Sequence, residues 1–229
     1  MVPARGGSKG IPRKNLATVG GRSLIAHTAA TVAELGWLDA AVLSTDDDEI
    51  AAEGRACGLD VPFLRPDALA TDAAGSVEMW QHAWLQSERH YGRRFDVSIL
   101  LQPTTPLRSA ADVERTAAAV AMDGHRAATT VSRTPGHFVP EKTLVLGDDG
   151  CVAFYHEAGA GHSRRQTAPA YYYRNGLCYA VDRRTLVDEG LIVEEDCCGV
   201  VVDGFVVNID EPWELELAEF LHARNSRGR

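Results

Sequence analysis

The sequence predicts an α/β protein with a mostly parallel sheet, for three reasons. Short apolar runs alternate with segments in which apolar residues recur at helical spacing. One run, DVSILLQ at 96–102, is apolar at successive positions, as expected for a central strand that is buried on both faces. The alternation of strands and helices implies that helices cover both faces of the sheet.

Each element has its own signal in the sequence. AAVLST at 40–45 is typical of a buried strand, and 46–58 of a helix with acids in its first turn and glycine at its end. SVEMWQHAWLQSERHY at 76–91 and the final EPWELELAEFLHARN at 211–225 show helical spacing. The remaining predicted elements are a strand at 60–64, a helix at 109–124 and a strand at 127–132.

The alternation breaks between about 135 and 195, where glycine, proline and charged residues are frequent. TLVL and CVAFYH flank the turn sequence GDDG at 147–150, which favours a hairpin. GLCYAV at 176–181 is a further strand candidate. We expect a single domain over 1–229 that carries a small inserted subdomain at about 135–195.

Composition argues against several classes of protein. The net charge of −9 disfavours a nucleic-acid binder, because phosphate backbones require broad basic surfaces. No apolar run approaches the length that spans a bilayer, and the start lacks the pattern of a signal peptide, so we expect a cytoplasmic protein without membrane contact. The five cysteines lack paired CxxC spacing and are expected to be reduced thiols.

The segment PARGGSKGIPRKNL at 3–16 concentrates positive charge in an otherwise acidic chain. Glycines allow consecutive backbone N–H groups to face one anion, and arginine can hold two phosphate oxygens at once. Met1 and Val2 precede Pro3 in a short predicted first strand, and ligands of open parallel sheets bind at the carboxyl ends of strands. The loop therefore predicts a small anionic ligand such as a nucleotide, although a solvated basic loop is an alternative.

The same loop contains a competing motif. Gly6, Ser8 and Gly10 match GxSxG, the nucleophile turn of serine hydrolases. That turn needs a helix directly after the serine, which Pro12 disfavours. The loop matches neither GxxxxGK[ST] nor GxGxxG, so it is not one of the common phosphate loops.

Several motifs together resemble the CMP-sialic acid synthetase family, the acylneuraminate cytidylyltransferases. The similar segments are PARGGSKGIPRKNL, VLSTDDDEIA, LRPDALATDAAGS, LLQPTTPLR, RRQTAPAYYYRNG and VNIDEPWELELAE, and they follow the family's order over nearly the whole chain. The resemblance implies a Rossmann-like sheet of the nucleotide-diphospho-sugar transferase type, with an inserted dimerisation subdomain. It also implies transfer of CMP from CTP to a nonulosonic sugar acid, with release of pyrophosphate, by a homodimer.

The resemblance also implies the roles of individual residues. The CTP phosphates and ribose are expected to contact Arg5, Ser8, Lys14 and Asn15. The cytosine and its surroundings are expected to contact Arg65, Ala74, Ser76 and Gln102. The small acidic acceptor is expected beside Lys142, Arg165, Gln166, Tyr173 and Asn175. The expected catalytic residues are Arg5, Lys14 and Asp210, with Mg²⁺ held by Asp210 and Asn208.

Taken alone, Asp210 has two interpretations. It follows the apolar run FVVNI and starts a helix, so it fits a metal ligand at a strand end or a helix N-cap. The acids at 46–48 carry the same ambiguity. Where the family often has an Asp-x-Asp pair, Asn208 leaves one carboxylate, which is still compatible with Mg²⁺.

The acceptor region departs from the family pattern more than the CTP region does. Tyr173 replaces a frequent arginine, and Cys197 and Cys198 stand where a bulky apolar pair can line the sugar's acyl pocket. The leading hypothesis is therefore a CTP-dependent cytidylyltransferase whose acceptor is a nonulosonic acid or, alternatively, a phosphonate or other small acid. A nucleotide-binding protein with weak catalysis and a serine hydrolase remain alternative classes.

Overall fold

The computed structural model describes residues 1–156, 169–192 and 196–227. Within them the helices are α1 (Leu24–Glu34), α2 (Asp48–Ala56), α3 (Ser76–Tyr91), α4 (Ala110–Ala121) and α5 (Pro212–Arg227). The strands are β1 (Val2–Pro3), β2 (Thr18–Val19), β3 (Arg22–Ser23), β4 (Leu43–Ser44), β5 (Val97–Leu100), β6 (Ala127–Arg133), β7 (Leu144–Leu146), β8 (Val152–Phe154), β9 (Tyr172–Asp182) and β10 (Cys197–Val201). Short 3₁₀ turns occur at Lys14–Leu16, Asp67–Leu69 and Pro140–Lys142, and a π-helical turn at Arg184–Asp188.

The central sheet has the strand order β10-β6-β9-β5. β10 runs parallel to β6, whereas β9 runs antiparallel to both β5 and β6. β1 pairs in parallel with β4, and the N–H of Leu101 donates to the carbonyl of Met1 at 3.0 Å, which joins β1 to the end of β5. The predicted α/β class is confirmed. The sheet is mixed rather than mostly parallel, and the sequence did not show this because an apolar run indicates burial and not strand direction.

Helices pack on both faces of this sheet, as predicted. Ile99 lies in one core cluster with Val113 of α4, and the next residue, Leu100, lies in another with Trp80 of α3. Neighbouring residues of a strand point to opposite faces, so β5 is buried from both sides. This burial accounts for the continuous apolar character of 96–102.

Local signals set the helix boundaries close to their predicted positions. Asp47 is the N-cap of α2, and its carboxylate accepts the N–H groups of Glu49 and Ile50 at 2.9 Å. α3 spans the predicted 76–91 and ends at Gly92, whose φ of 63° is the left-handed conformation that glycine adopts readily. The predicted strand at 60–64 is reduced to an isolated bridge between Asp60 and Val42.

The predicted hairpin is confirmed, since β7 and β8 pair antiparallel around the GDDG turn. The strand candidate at 176–181 lies within β9 and belongs to the central sheet, between β5 and β6. It therefore serves the sheet even though it falls inside the range 135–195. The division of the chain into one domain with an inserted subdomain stays a prediction.

Two further properties of the described residues bear on the protein's class. None of the helices there combines the length and apolar character needed to cross a bilayer. The cysteines are free thiols, of which Cys178 is buried and Cys151 is exposed.

Candidate active site

A cleft of about 410 Å³ lies where the opening loop, the end of β5 and the segment before α5 meet. It brings together predicted site residues that are far apart in the chain: Arg5, Ser8, Lys14, Asn15, Ala74, Ser76, Gln102, Asn208 and Asp210. The loops that follow β1 and β5 both contribute, as expected for the carboxyl ends of parallel strands.

The opening loop is held in place by contacts from both sides. The N–H of Gly6 donates to Oδ1 of Asp46, and Nδ2 of Asn15 donates to the carbonyl of Arg5, each at 3.0 Å. A Cβ added to Gly10 would lie 2.3 Å from the carbonyl oxygen of Asp210, closer than any side chain tolerates. Gly10 is thus needed for the close approach of the loop to the segment before α5.

The loop does not form the nucleophile turn of a serine hydrolase. Bends follow Ser8, and the next helical residues are the 3₁₀ turn Lys14–Leu16. A hydrolase would place a helix directly after the serine to aim its hydroxyl at the substrate. GxSxG at Gly6, Ser8 and Gly10 is therefore a coincidence of composition.

Carboxylates pair with the cations of the loop. Nη2 of Arg5 lies 2.6 Å and Nζ of Lys9 lies 2.8 Å from the carboxylate of Asp72, and Nζ of Lys14 lies 2.7 Å from Oδ1 of Asp210. Hydrogen bonds from Lys9 and Arg5 hold the pKa of Asp72 below its usual range. The cleft therefore holds a row of cations suited to phosphate oxygens, each already facing an anion.

Asp210 was interpreted from the sequence either as a metal ligand at a strand end or as the N-cap of a helix, and the structure bears on this choice. Its carboxylate faces Lys14, whereas Oε2 of Glu214 accepts the N–H groups of Asp210 and Glu211 at 2.7 and 2.8 Å at the start of α5. The carboxylate of Asp210 is thus directed into the cleft and is not spent on capping. Beside it, Oδ1 of Asn208 is buried without a hydrogen-bond partner among the described residues.

Arg65 lies behind the cleft wall rather than in its lining. It is 6% exposed and donates to the carbonyl and the hydroxyl of Ser44 at 2.5 and 3.1 Å. Burial lowers the pKa of Arg65, while the charge of Asp46 opposes that shift. In this arrangement Arg65 anchors its segment to the end of β4, and its predicted contact with cytosine stays a prediction.

Two residues that the sequence analysis did not single out shape the wall of the cleft that contains Gln102. Arg108 is buried, its guanidinium donates to the carbonyl of Gln102 and the hydroxyl of Thr105, and burial lowers its pKa to about 10. Gly176 adopts a φ of 75°, and a Cβ there would lie 3.1 Å from Oε1 of Gln102. The feature of the sequence that could have identified Arg108 is its position at the end of the LLQPTTPLR motif.

Of the predicted acceptor residues, the three that the structure describes lie apart from the lining of this cleft. Nζ of Lys142 donates to the carbonyl of Gly136 at 2.7 Å, and Tyr173 on β9 is 41% exposed. The side chain of Asn175 is buried, with its amide oxygen accepting from Thr130 at 2.6 Å and its nitrogen donating to Ser132 at 2.9 Å. The other two, Arg165 and Gln166, lie outside the described residues.

A second cavity, of about 280 Å³, lies at the opposite ends of the strands. Apolar side chains such as Leu35, Trp84 and Leu101 line it. The charged residues in its lining are Asp39 and Asp96, which disfavour an anionic ligand. The cationic cleft is therefore the candidate active site.

The fold and the cationic cleft together define an enzyme of the nucleotidyltransferase class. The chain belongs to the cytidylyltransferase family, whose family model matches residues 1–187. A pseudaminic acid cytidylyltransferase of Campylobacter jejuni is 26% identical over 98% of this chain and 96% of its own. A CMP-N,N'-diacetyllegionaminic acid synthase of the same species is 28% identical over 96% of this chain and 92% of its own.

A solved structure supports the fold. The CMP:2-keto-3-deoxy-manno-octonic acid synthetase, determined in complex with CTP, superposes with a TM-score of 0.71. The match covers 98% of this chain and 97% of that chain at 18% identity. At that identity the likeness establishes the shared fold.

Replacing Gly10 with alanine should lower turnover about a hundredfold, the loss expected when reacting groups shift by about 1 Å. The new Cβ must push the opening loop away from the carbonyl of Asp210. Steady-state release of pyrophosphate from CTP measures the effect. Gly36→Ala is the matched control, because nothing lies within 4 Å of a Cβ there and Gly36 does not line the cleft, and equal losses in both variants would contradict the argument.

Proposed function

We propose that this protein transfers CMP from CTP to a nonulosonic sugar acid and releases pyrophosphate. The observation that carries the proposal is the cationic cleft, which Arg5 and Lys14 line, while Lys9 of the same glycine-rich loop pairs with the lining residue Asp72. Membership of the cytidylyltransferase family identifies CTP as the nucleotide. The relatives that act on pseudaminic and legionaminic acid support the class of acceptor.

The opposite wall of the cleft suits a pyrimidine. Ala74 and Ser76 at the start of α3 face Gln102 after β5, so backbone and amide groups are available for the polar edge of cytosine. Arg108 fixes the backbone of Gln102 from behind.

The reaction needs no covalent intermediate with the enzyme. A hydroxyl oxygen of the acceptor attacks the α-phosphorus in line, the bond to the bridging oxygen breaks, and pyrophosphate departs while the hydroxyl proton passes to solvent. Arg5 and Lys14 neutralise the charge that builds up on the departing phosphates. The pairing of Asn15 with the carbonyl of Arg5 keeps this part of the loop in position.

The acceptor carries a carboxylate, so it should approach a cationic region. Lys142 lies near the base of the exposed hairpin, and Arg174 lies next to Tyr173. Both residues supply positive charge on that side. Cys197 and Cys198 do not belong to this side, contrary to the expectation from the sequence, because they pair with Ala127 and Ala128 at the start of β6 and pack against the core of the sheet.

We propose that Mg²⁺ binds beside the phosphates, held by Asp210 and Asn208. The carboxylate of Asp210 enters the cleft, and the buried Oδ1 of Asn208 has no hydrogen-bond donor among the described residues. Oxygen atoms of these two types are the ligands that a hard cation such as Mg²⁺ prefers. No group of three or more histidine, cysteine, aspartate or glutamate side chains in the described ranges is placed to hold a metal. Phosphate oxygens and water would supply the other ligands, and the metal would stabilise the leaving group.

We propose that the β7–β8 hairpin mediates a homodimer. Its apolar side chains are exposed on both faces, and Leu146 and Val152 have 70% and 62% of their surface exposed. Exposed apolar surface of this kind is typical of protein interfaces. Light scattering should give the mass of a dimer for the wild type and of a monomer for Leu146→Glu; a wild-type monomer would contradict the proposal.

We also place the reaction in the cytoplasm, where CTP is available and cysteines such as the exposed Cys151 remain reduced. Fractionation of producing cells checks this placement. Recovery in a membrane or secreted fraction would contradict it.

The function is tested with a matrix of the four common nucleoside triphosphates against nonulosonic acids and phosphonates, with and without Mg²⁺. We expect pyrophosphate release with CTP and a nonulosonic acid. Arg5→Ala should reduce turnover about a hundredfold, since it removes one preorganised charge from the leaving group. Activity only with a purine nucleotide, or near-normal turnover of Arg5→Ala, would refute the assignment.

Asn208→Asp tests the proposed metal site. A second carboxylate should lower the Mg²⁺ concentration for half-maximal activity, whereas Asp210→Asn should raise it. Ser109→Ala, at the N-cap of α4 and away from the cleft, is the control that should leave the Mg²⁺ dependence unchanged. An unchanged Mg²⁺ dependence in both site variants would place the metal elsewhere.

A further inference from the structure

The carboxylate of Asp72 forms ion pairs with Arg5 and Lys9, two of the cations proposed to bind the phosphates. One oxygen lies 2.6 Å from Nη2 of Arg5 and the other lies 2.8 Å from Nζ of Lys9. Asp72 lies 67 residues along the chain from Arg5, in the segment between the 3₁₀ turn Asp67–Leu69 and α3. An anion from the protein therefore stands where phosphate oxygens of a nucleotide would make the same contacts.

Asp72 and the phosphates compete for the same donors. Hydrogen bonds from Lys9 and Arg5 favour the ionised carboxylate, so Asp72 is an anion throughout the neutral range. The side chain of Asp72 is 48% exposed, so it can leave the cations without opening the core. A triphosphate carries several negative charges against one on Asp72 and can displace it, whereas a weakly charged ligand cannot.

The segment that carries Asp72 also forms the base side of the cleft. Thr71, Ala74 and Gly75 from this segment line the cleft together with Arg5 and Gln102. Displacement of Asp72 would therefore break a link between the opening loop and this part of the cleft lining.

We propose that Asp72 is a specificity-determining residue for the donor nucleotide, an internal anion that holds Arg5 and Lys9 until a triphosphate displaces it. When pyrophosphate has formed, Asp72 returns to the two cations and favours its departure. This inference rests on the proposed CTP site. It predicts that the acid weakens the binding of polyphosphates and does not assist it.

The test is calorimetry of the purified protein in EDTA, with pyrophosphate, CTP and CMP as separate titrants. Asp72→Asn should tighten pyrophosphate and CTP binding about fivefold, because two exposed ion pairs no longer have to be broken. CMP binding should stay unchanged. Asp72→Glu keeps the competing charge and should bind pyrophosphate nearly as the wild type does.

Asp67→Asn is the matched control, since Asp67 is an exposed acid in the preceding 3₁₀ turn and its replacement changes the net charge equally. An equal gain in Asp67→Asn, or unchanged or weaker pyrophosphate binding in Asp72→Asn with a wild-type unfolding temperature, would overturn the proposal. A pyrophosphate gain in Asp72→Asn without any CTP binding by the wild type would support the role of Asp72 while removing the proposed function.

Discussion

The architecture of the cleft depends on balancing the positive charge of one glycine-rich loop. Arg5 and Lys9 face Asp72, Lys14 faces Asp210, and each acid comes from a distant part of the chain. Such pairs are individually weak because they are exposed, so their value lies less in stability than in where they hold the side chains. In the proposed binding event, phosphate oxygens would replace the carboxylate of Asp72 as the anionic partners of Arg5 and Lys9.

The mixed sheet explains how the other walls reach this loop. β9 lies antiparallel between β5 and β6, and Gly176 within it approaches Gln102 and Asn208. A side chain at that position would separate the amide of Gln102 from Asn208 and the segment that carries Asp210. Arg108, buried behind Gln102 and bonded to its carbonyl, holds the same loop from the other side.

Among the described residues, those expected to bind the donor nucleotide lie together, whereas those expected to bind the acceptor do not. The donor cleft is assembled from loops of a single sheet, and most residues expected to contact CTP line it. The described residues expected beside the acceptor are dispersed. Lys142 donates a hydrogen bond to the carbonyl of Gly136, and the amide of Asn175 is hydrogen-bonded to hydroxyl groups inside the sheet. The acceptor side is thus the place where a second subunit would contribute most.

Sequence alone determined the α/β class, most helix and strand positions and the concentration of positive charge in the opening loop, because periodicity, capping residues and local charge act over a few residues. Tertiary structure decided the direction of β9, the burial of Arg65 against Ser44, and the turning of Asp210 toward Lys14 while Glu214 caps α5. The pairing of Asp72 with Arg5 belongs with these, since the partner of a charge is chosen by which loops the folded sheet brings together. Local pattern carries no information on that choice.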